Sequence, residues 1–208
     1  MKGIVVNSLF LILCMMAGNT QALANSPEAV IKQTADSVIT RIEAQRSALE
    51  AHPEQVYDLV NELVIPHFDF ISMSKWVLGK NWKAASEAQR SEFIEQFKTL
   101  LVRTYARALL EYSGRKIEYF PVEQNDKPRL AVVKTMMTSS GAQPFPIHYR
   151  MYQRNEVWKV VDIAVDGVSL IQTYRGSFST QIKKNGLDAL IKQLVDKNEK
   201  IASSSISN

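Results

Sequence analysis

Apolar positions divide the chain into a helical first half and a second half dominated by strands. Between residues 26 and 112 the apolar residues recur three and four positions apart, which is the period of amphipathic helices. This spacing predicts helices over residues 26–50, 52–66, 68–78 and 86–112. Ser26 before Pro27 is a typical helix start, Gly79 is a typical helix end, and Ser86 with Gln89 forms a capping box.

The fourth predicted helix is more apolar than a surface helix requires. It has two apolar stripes. The first contains Phe93, Phe97 and Leu100, and the second contains Leu101, Tyr105 and Leu109. A helix packed on a single surface needs an apolar arc of roughly 100°, and this helix has nearly twice that. It therefore either lies between a sheet and another helix or lines a cavity between the sheet and itself.

After Gly114 the apolar period changes to two, which is typical of strands. Four consecutive antiparallel strands are predicted over residues 116–122, 129–139, 145–154 and 157–165, with polar turns between them. Helices followed by an antiparallel meander indicate an α+β fold.

The alternation within each strand predicts which side chains share a face. In the third strand these are Phe145, Ile147, Tyr149 and Met151. In the fourth strand the shared set is Val157, Val161, Ile163 and Val165, with Asp162 on the opposite face. The second strand is apolar on both sides, and its alternation does not decide between the face of Val133 and the face of Met136.

A short corner connects the last strand to two further helices. Asp166 and Gly167 interrupt the extended run, and Ser169 is the expected N-cap of a helix with Leu170, Tyr174 and Phe178 on one side. A final helix is predicted over residues 186–197. The Ser-rich residues 202–208 are expected to be disordered.

Residues 1–24 have the three regions of a cleavable secretory signal peptide. Lys2 is followed by an apolar run from Ile4 to Ala17, which is shorter than the roughly 20 residues of a membrane span. Ala22 and Ala24 fit the small-residue cleavage rule. We therefore expect export to the periplasm and a single domain over residues 25–201, from which the only cysteine, Cys14, has been removed.

Composition excludes several classes of function. The net charge is +4, and the basic residues are interspersed with acidic ones, so no basic face for nucleic acid is expected. The three histidines are far apart in the chain, and no metal ion or other cofactor is expected. The chain contains no glycine-rich phosphate loop, and Ser169 lacks the second glycine of a nucleophile elbow.

Asp162 leaves two interpretations open because an ionised carboxylate in an apolar strand needs a partner. It is either the general base of a small hydrolase or isomerase with an apolar pocket, or a structural group. In the second case Arg175, Lys159 or backbone N–H groups at the sheet corner would pair with it. Its position out of phase with Ile163 and Val165 favours the structural interpretation.

Two landmarks in the chain resemble those of the MlaC/Tol-Ttg2 (toluene tolerance) family of periplasmic phospholipid-binding proteins. The first landmark comprises residues 77–82 with Gln89, Arg90 and the segment 93–97, and the second comprises Trp158, Asp162, residues 167–170, Tyr174, Arg175 and Phe178. A further likeness lies in residues 186–191, and the resemblance covers roughly residues 27–197. Thr173 and Gly176 depart from the residues that many members carry.

The resemblance implies a cone-like fold similar to nuclear transport factors, in which helices wrap a twisted antiparallel sheet of four to five strands. It also implies a deep pocket that holds phospholipid acyl chains. It also implies transfer partners, namely an outer-membrane MlaA–porin complex and the inner-membrane MlaFEDB complex, contacted through MlaD. We expect a monomer. The apolar residues expected to contact lipid are Phe93, Phe97, Leu100, Leu101, Tyr105, Leu109, Val133, Met136, Phe145, Ile147, Tyr149, Met151, Val161, Ile163, Val165, Val168, Leu170, Tyr174 and Phe178.

The cost of exposing a lipid to water explains why such a carrier needs an apolar interior. Two acyl chains carry on the order of 30 methylenes, and their exposure costs roughly 25 kcal/mol. The hypothesis that follows is a carrier without enzymatic activity that helps to maintain outer-membrane lipid asymmetry. The alternatives are the Asp162 hydrolase or isomerase and a structural envelope adaptor whose core is filled.

Overall fold

The fold is a layer of helices packed on an open five-stranded antiparallel sheet. A computed structural model describes residues 26–111, 115–122, 129–139 and 141–206. Its helices are α1 (Pro27–Ala44), α2 (Arg46–Ala51), α3 (Val56–Leu63), α4 (Phe70–Leu78), α5 (Asn81–Ala84), α6 (Glu87–Tyr105), α7 (Ala108–Glu111), α8 (Leu170–Asn185) and α9 (Leu187–Ile206). Its strands are β1 (Lys116–Tyr119), β2 (Leu130–Ser139), β3 (Ala142–Arg154), β4 (Val157–Val165) and β5 (Val168–Ser169).

The capping residues act as predicted from the sequence. Ser26 Oγ accepts a hydrogen bond of 3.0 Å from Ala29 N at the start of α1. Ser86 and Gln89 form both hydrogen bonds of the capping box at the start of α6. Gly79 ends α4 with φ +54°, a conformation that glycine adopts readily because it has no Cβ.

Three helix boundaries differ from the prediction. The first helix is interrupted at Gln45, and the long helix ends at Tyr105, before the separate short helix α7. The last helix continues beyond residue 197 and includes residues 202–206 of the expected disordered tail. Serine has a moderate helix propensity, and Ser203 Oγ donates to the Glu199 carbonyl oxygen at 3.0 Å, a bond within the helix.

The sheet confirms the predicted α+β class and the antiparallel meander. Its spatial order is β1-β2-β3-β4-β5, so every strand pairs with its neighbour in sequence. A β-bulge interrupts the pairing of β3 with β4, because Arg150 pairs with Asp162 whereas Met151 pairs with Val160. Val161 is therefore an extra residue in β4, and it resets the alternation of that strand.

The buried apolar residues form three separate clusters. The first lies among α4, α6, α8 and α9 and is built around Phe93 and Phe97. The second lies among α1, α2, α3 and α6 and includes Val56 and Val102. The third lies between the sheet and α1 and includes Ile31, Met151 and other residues of β2 and β4.

The predicted signal peptide, residues 1–24, lies outside the described residues, and so does the end of the tail. Among the residues that the structure describes, no helix combines the length and apolar character needed to span a bilayer.

Candidate functional site

The strand register gathers apolar side chains on one face of the sheet, which we call the apolar sheet face. Residues paired directly across an antiparallel sheet point to the same side, so the pairing defines the rows of this face. Four rows are Ile117–Met137–Phe145, Tyr119–Thr135–Ile147–Val165–Val168, Val133–Tyr149–Ile163 and Ala131–Met151–Val160, and the pair Gln153–Trp158 continues the face beyond Met151. In the four rows, the side chains with polar atoms are those of Tyr119, Thr135 and Tyr149. The Thr135 hydroxyl donates to the Ile147 carbonyl oxygen at 3.1 Å.

One end of the apolar sheet face is closed by the helical layer. Val133 and Met151 have no exposed surface, and Val160 is 1% exposed. Ile31 of α1 and Phe68, which precedes α4, pack against these residues. This end is an ordinary hydrophobic core.

The other end of the apolar sheet face is open. Phe145 and Ile147 are half-buried, Val165 is 37% exposed and Val168 is 60% exposed. The opposite face of the same strands is polar at this level, because Lys134 pairs with His148 and Arg150 pairs with Asp162. The sheet thus presents a continuous apolar strip that runs from a closed core to an accessible rim.

The register decides the face of β2 that the sequence left open, and it corrects the face predicted for Val157. Met136 pairs with Glu118 and Pro146 and lies on the face opposite to Val133, whereas Met137 lies on the apolar sheet face. Val157 also lies opposite, and it is 46% exposed. The bulge at Val161 is the reason for the position of Val157, because an extra residue exchanges the two faces of a strand. The prediction for β3 and the opposition of Asp162 to Ile163 are confirmed.

The predicted contacts on the helices lie in a different place. The aromatic rings of Phe93, Phe97, Tyr174 and Phe178 pack together at centroid distances of 5.3–6.1 Å, and Leu100 and Leu101 belong to the same cluster. Leu109 packs in the second cluster.

The broad apolar arc of α6 therefore joins two helical clusters instead of lying between the sheet and one helix. Tyr105 is 42% exposed, and its side chain lies beside that of Tyr174. Burial, followed by the polar contact with Tyr105, raises the pKa of Tyr174. Leu170 is half-buried at the start of α8, and Val161 is fully buried. The predicted lipid contacts are thus divided between the sheet face and the helices.

A cavity of about 110 Å³ lies between α6, α8 and α9, away from the apolar sheet face. Leu100, Tyr174, Phe178 and Leu194 form its apolar wall, and Gln181 and Lys197 form part of its polar rim. Since an engineered cavity of about 150 Å³ accommodates benzene, this space suits a group of that size and not a pair of acyl chains. This place differs from the one predicted for the lipid cavity, which was between the sheet and the long helix.

Asp162 is a structural anchor at the corner between β4 and α8. Its carboxylate is 2% exposed and accepts hydrogen bonds from Ser169 Oγ at 2.7 Å and from Ile171 N at 3.2 Å. Arg150 Nη1 lies 3.7 Å from Oδ2, so the ion-pair partner is Arg150 and not Arg175 or Lys159. The contact with a backbone N–H at the sheet corner is confirmed, and the carboxylate points away from the apolar sheet face.

Tyr119 is a functional candidate that the sequence did not reveal. Its hydroxyl oxygen is buried on the apolar sheet face and has no hydrogen-bond partner among the described residues. Burial, followed by the charges of Asp36, Tyr149 and Glu28, raises the pKa of Tyr119 to about 12. The phenol therefore stays neutral at physiological pH, and the four rows contain no ionised side chain.

An open antiparallel sheet with one apolar, uncharged face defines a class of small α+β domains suited to hold an apolar ligand. The chain belongs to the MlaC protein family, whose sequence model matches residues 32–196. This match confirms the resemblance noted in the two landmarks.

Two named bacterial proteins are similar to this chain. It is 27% identical over 166 residues to the toluene tolerance protein Ttg2D of Pseudomonas putida, covering 79% of this chain and 77% of that protein. It is 26% identical over 188 residues to the intermembrane phospholipid transport system binding protein MlaC of Haemophilus influenzae, covering 89% and 88%.

A solved structure of a phospholipid-binding protein from Ralstonia solanacearum, in complex with a phospholipid, has a similar fold. Its TM-score is 0.77 at 28% identity, and the match covers 84% of this chain and 98% of that one. The chain therefore shares its architecture with a protein whose solved structure contains a bound phospholipid.

Proposed function

We propose that this protein is a periplasmic phospholipid carrier that holds acyl chains against the apolar sheet face. The observation that supports it is the uncharged strip that begins in a closed core at Met151 and ends at the accessible side chains of Val165 and Val168. Along β3, the part of the strip that the helices leave accessible runs from Phe145 to Tyr149 and spans roughly 13 Å. The hydrocarbon depth of one leaflet is about 15 Å, so this part is close to the length of one acyl chain.

The same surface accounts for binding without tight retention. Each methylene moved from water onto an apolar surface contributes about 0.8 kcal/mol, so the strip replaces part of the bilayer environment. The polar headgroup would lie at the open rim, where Val165 and Val168 meet solvent. Few polar groups line the face, and we therefore expect different headgroups to be tolerated.

The direction of transfer would be set by partners, because the chain has no recognisable nucleotide-binding motif. We propose the outer-membrane MlaA–porin complex and the inner-membrane MlaFEDB complex, through MlaD, as those partners. Their exchange of phospholipid with this carrier would maintain the asymmetry of the outer membrane. Asp162 has a structural role in this proposal, and the protein acts as a monomer without catalysis or a cofactor.

Native mass spectrometry of the protein purified from the periplasm without detergent tests the carrier proposal. The expected spectrum shows the chain with a bound phospholipid, and the delipidated protein should take up lipid again from vesicles. A mass equal to that of the chain alone, together with no uptake, would contradict it. The start of the mature chain is read from the same spectrum and checks the predicted cleavage after Ala24.

A further inference from the structure

A second surface, on the helical side of the molecule, combines unneutralised positive charge with exposed apolar groups. Its centre is Trp82 in α5, whose ring has two cations close to it. Lys75 Nζ is 5.7 Å from the ring centroid, and the guanidinium carbon of Arg90 is 5.3 Å from it. Arg90 is fixed in this position, because its Nε donates to the Trp82 carbonyl oxygen at 2.9 Å and its Nη2 to the Lys83 carbonyl at 3.2 Å.

Further cations extend this surface on both sides. Lys80 and Lys83 are exposed on either side of Trp82 in the sequence. Arg175, from the distant helix α8, lies over Gly79, where a Cβ would come within 3.3 Å of Arg175 Nη2. We call the cations Lys75, Lys80, Lys83, Arg90 and Arg175 around Trp82 the basic Trp82 surface.

The charge of the basic Trp82 surface is not neutralised by carboxylates. Within the described ranges, the ion pairs join other residues, and none involves these five cations. Asp69 immediately precedes α4, and its carboxylate accepts hydrogen bonds from Ser72 N and Ser72 Oγ. Asp188 accepts a hydrogen bond of 2.6 Å from the Gln89 side chain. Neither carboxylate forms an ion pair with these cations.

An aliphatic side chain projects beside this charge. Ile71 is 48% exposed and lies one helical turn before Lys75, so the two side chains are neighbours on α4. Trp82 is half-buried. Lysine and arginine around an exposed aliphatic residue and a tryptophan are the combination that proteins present to the headgroup layer of a membrane.

We propose that the basic Trp82 surface docks this protein on anionic phospholipid membranes. The cations would contact lipid phosphates, Ile71 would enter the interface, and the indole of Trp82 would lie at headgroup level. Three of the five cations are lysines, which are mobile point charges, and Ile71 projects singly instead of lining a pocket. Those features suit a fluid headgroup layer better than a shaped acidic site on a protein. The inference extends the carrier proposal, because a carrier must meet a membrane or a complex within it.

Cosedimentation with vesicles tests the proposal on the delipidated full-length mature protein. Vesicles of phosphatidylcholine alone are compared with vesicles of phosphatidylcholine and phosphatidylglycerol in equal amounts. Both are tested at low and at high salt. The wild-type protein should bind only the anionic vesicles, and salt should weaken binding. Replacing Lys75, Lys80 and Lys83 together with glutamine should reduce the partition coefficient by on the order of a hundredfold, since each cation contributes roughly fivefold.

A matched control removes the same number of charges elsewhere. Lys116→Gln, Arg154→Gln and Lys200→Gln together alter exposed cations of β1, β3 and α9. The control should keep most of the binding, whereas Ile71→Ser should lower it several-fold with all charges in place. Equal losses in the two triple variants would show a net-charge effect and overturn the proposal. Absence of wild-type binding to anionic vesicles would also overturn it and would favour a protein partner for this surface.

Lipid occupancy separates this proposal from the carrier function. Native mass spectrometry of the Lys75/Lys80/Lys83 variant should show the same bound phospholipid as the wild type, because the altered residues lie outside the apolar sheet face. If the wild type carries lipid but does not sediment with vesicles, only the docking proposal fails. If it sediments but never carries lipid, the carrier function fails and the docking surface stands.

Discussion

Replacing Val165 with asparagine tests whether the cargo lies on the apolar sheet face. Val165 is 37% exposed, so the free protein should lose no more than about 1 kcal/mol, the span of strand propensities. Under a bound acyl chain the new amide would be covered without a partner, which costs roughly 1–3 kcal/mol. The acyl chain would also lose its contact with the valine, which contributes about 0.5 kcal/mol because only 37% of Val165 is left for the ligand to cover. Together these effects should lower lipid affinity by roughly a hundredfold.

Phe97→Ala is the matched control in the helical cluster. Phe97 has no exposed surface and stacks on Phe93 at a centroid distance of 5.6 Å. Its removal should lower the free energy of unfolding by about 3–5 kcal/mol and leave the affinity of the folded protein near that of the wild type.

Stability and affinity must be measured on delipidated protein, because a ligand that binds the native state adds its own stabilisation. Urea denaturation gives the free energy of unfolding, and displacement of a fluorescent phospholipid gives the affinity. If Val165→Asn binds lipid like the wild type while folded Phe97→Ala does not, the cargo lies among the helices. The apolar sheet face would then be excluded as the site.

Three further predictions concern the elements that hold this architecture. Asp162→Ala should lower the free energy of unfolding by about 2–4 kcal/mol in urea denaturation, because two buried charge-assisted hydrogen bonds are lost; an unchanged midpoint would contradict the anchor role. Gly79→Ala should cost about 1–2 kcal/mol, measured as a lower Tm, because its φ of +54° is unfavourable for a residue with a Cβ that also meets Arg175. In an absorbance titration one phenol should ionise near pH 12 and be missing in Tyr119→Phe. The folded pKa of Tyr119 lies above the unfolded value of about 10. The free energy of unfolding of the wild type should therefore be fully retained below pH 10 and fall as the pH rises towards 12, and Tyr119→Phe should lack this fall.

Local signals in the sequence predicted most of the secondary structure. The capping box at Ser86, the N-cap at Ser26 and the glycine at Gly79 were recognisable because each depends on a few consecutive residues. The face of β3 was also predictable, because its alternation from Phe145 to Met151 is uninterrupted.

Features that depend on tertiary pairing were not predictable in the same way. The bulge at Val161 arises only when β4 pairs with β3, so no alternation within β4 alone reveals it. The width of the apolar arc on α6 indicated two contacts but not their identity, which proved to be helical on both sides. The basic Trp82 surface joins Arg90 and Arg175, which are far apart in sequence, and only the folded chain brings them to one place.

The division of the interior into three clusters means that one layer of the molecule can open while the others stay folded. Local unfolding takes less free energy than global unfolding when few buried contacts join the moving part to the rest. The edge strand β1 is such a part, because it pairs only with β2. Its backbone amides should therefore exchange with deuterium faster than those of α6, and added lipid should slow their exchange selectively. Lipid entry would then require only the edge of the sheet to move while the helical frame stays rigid.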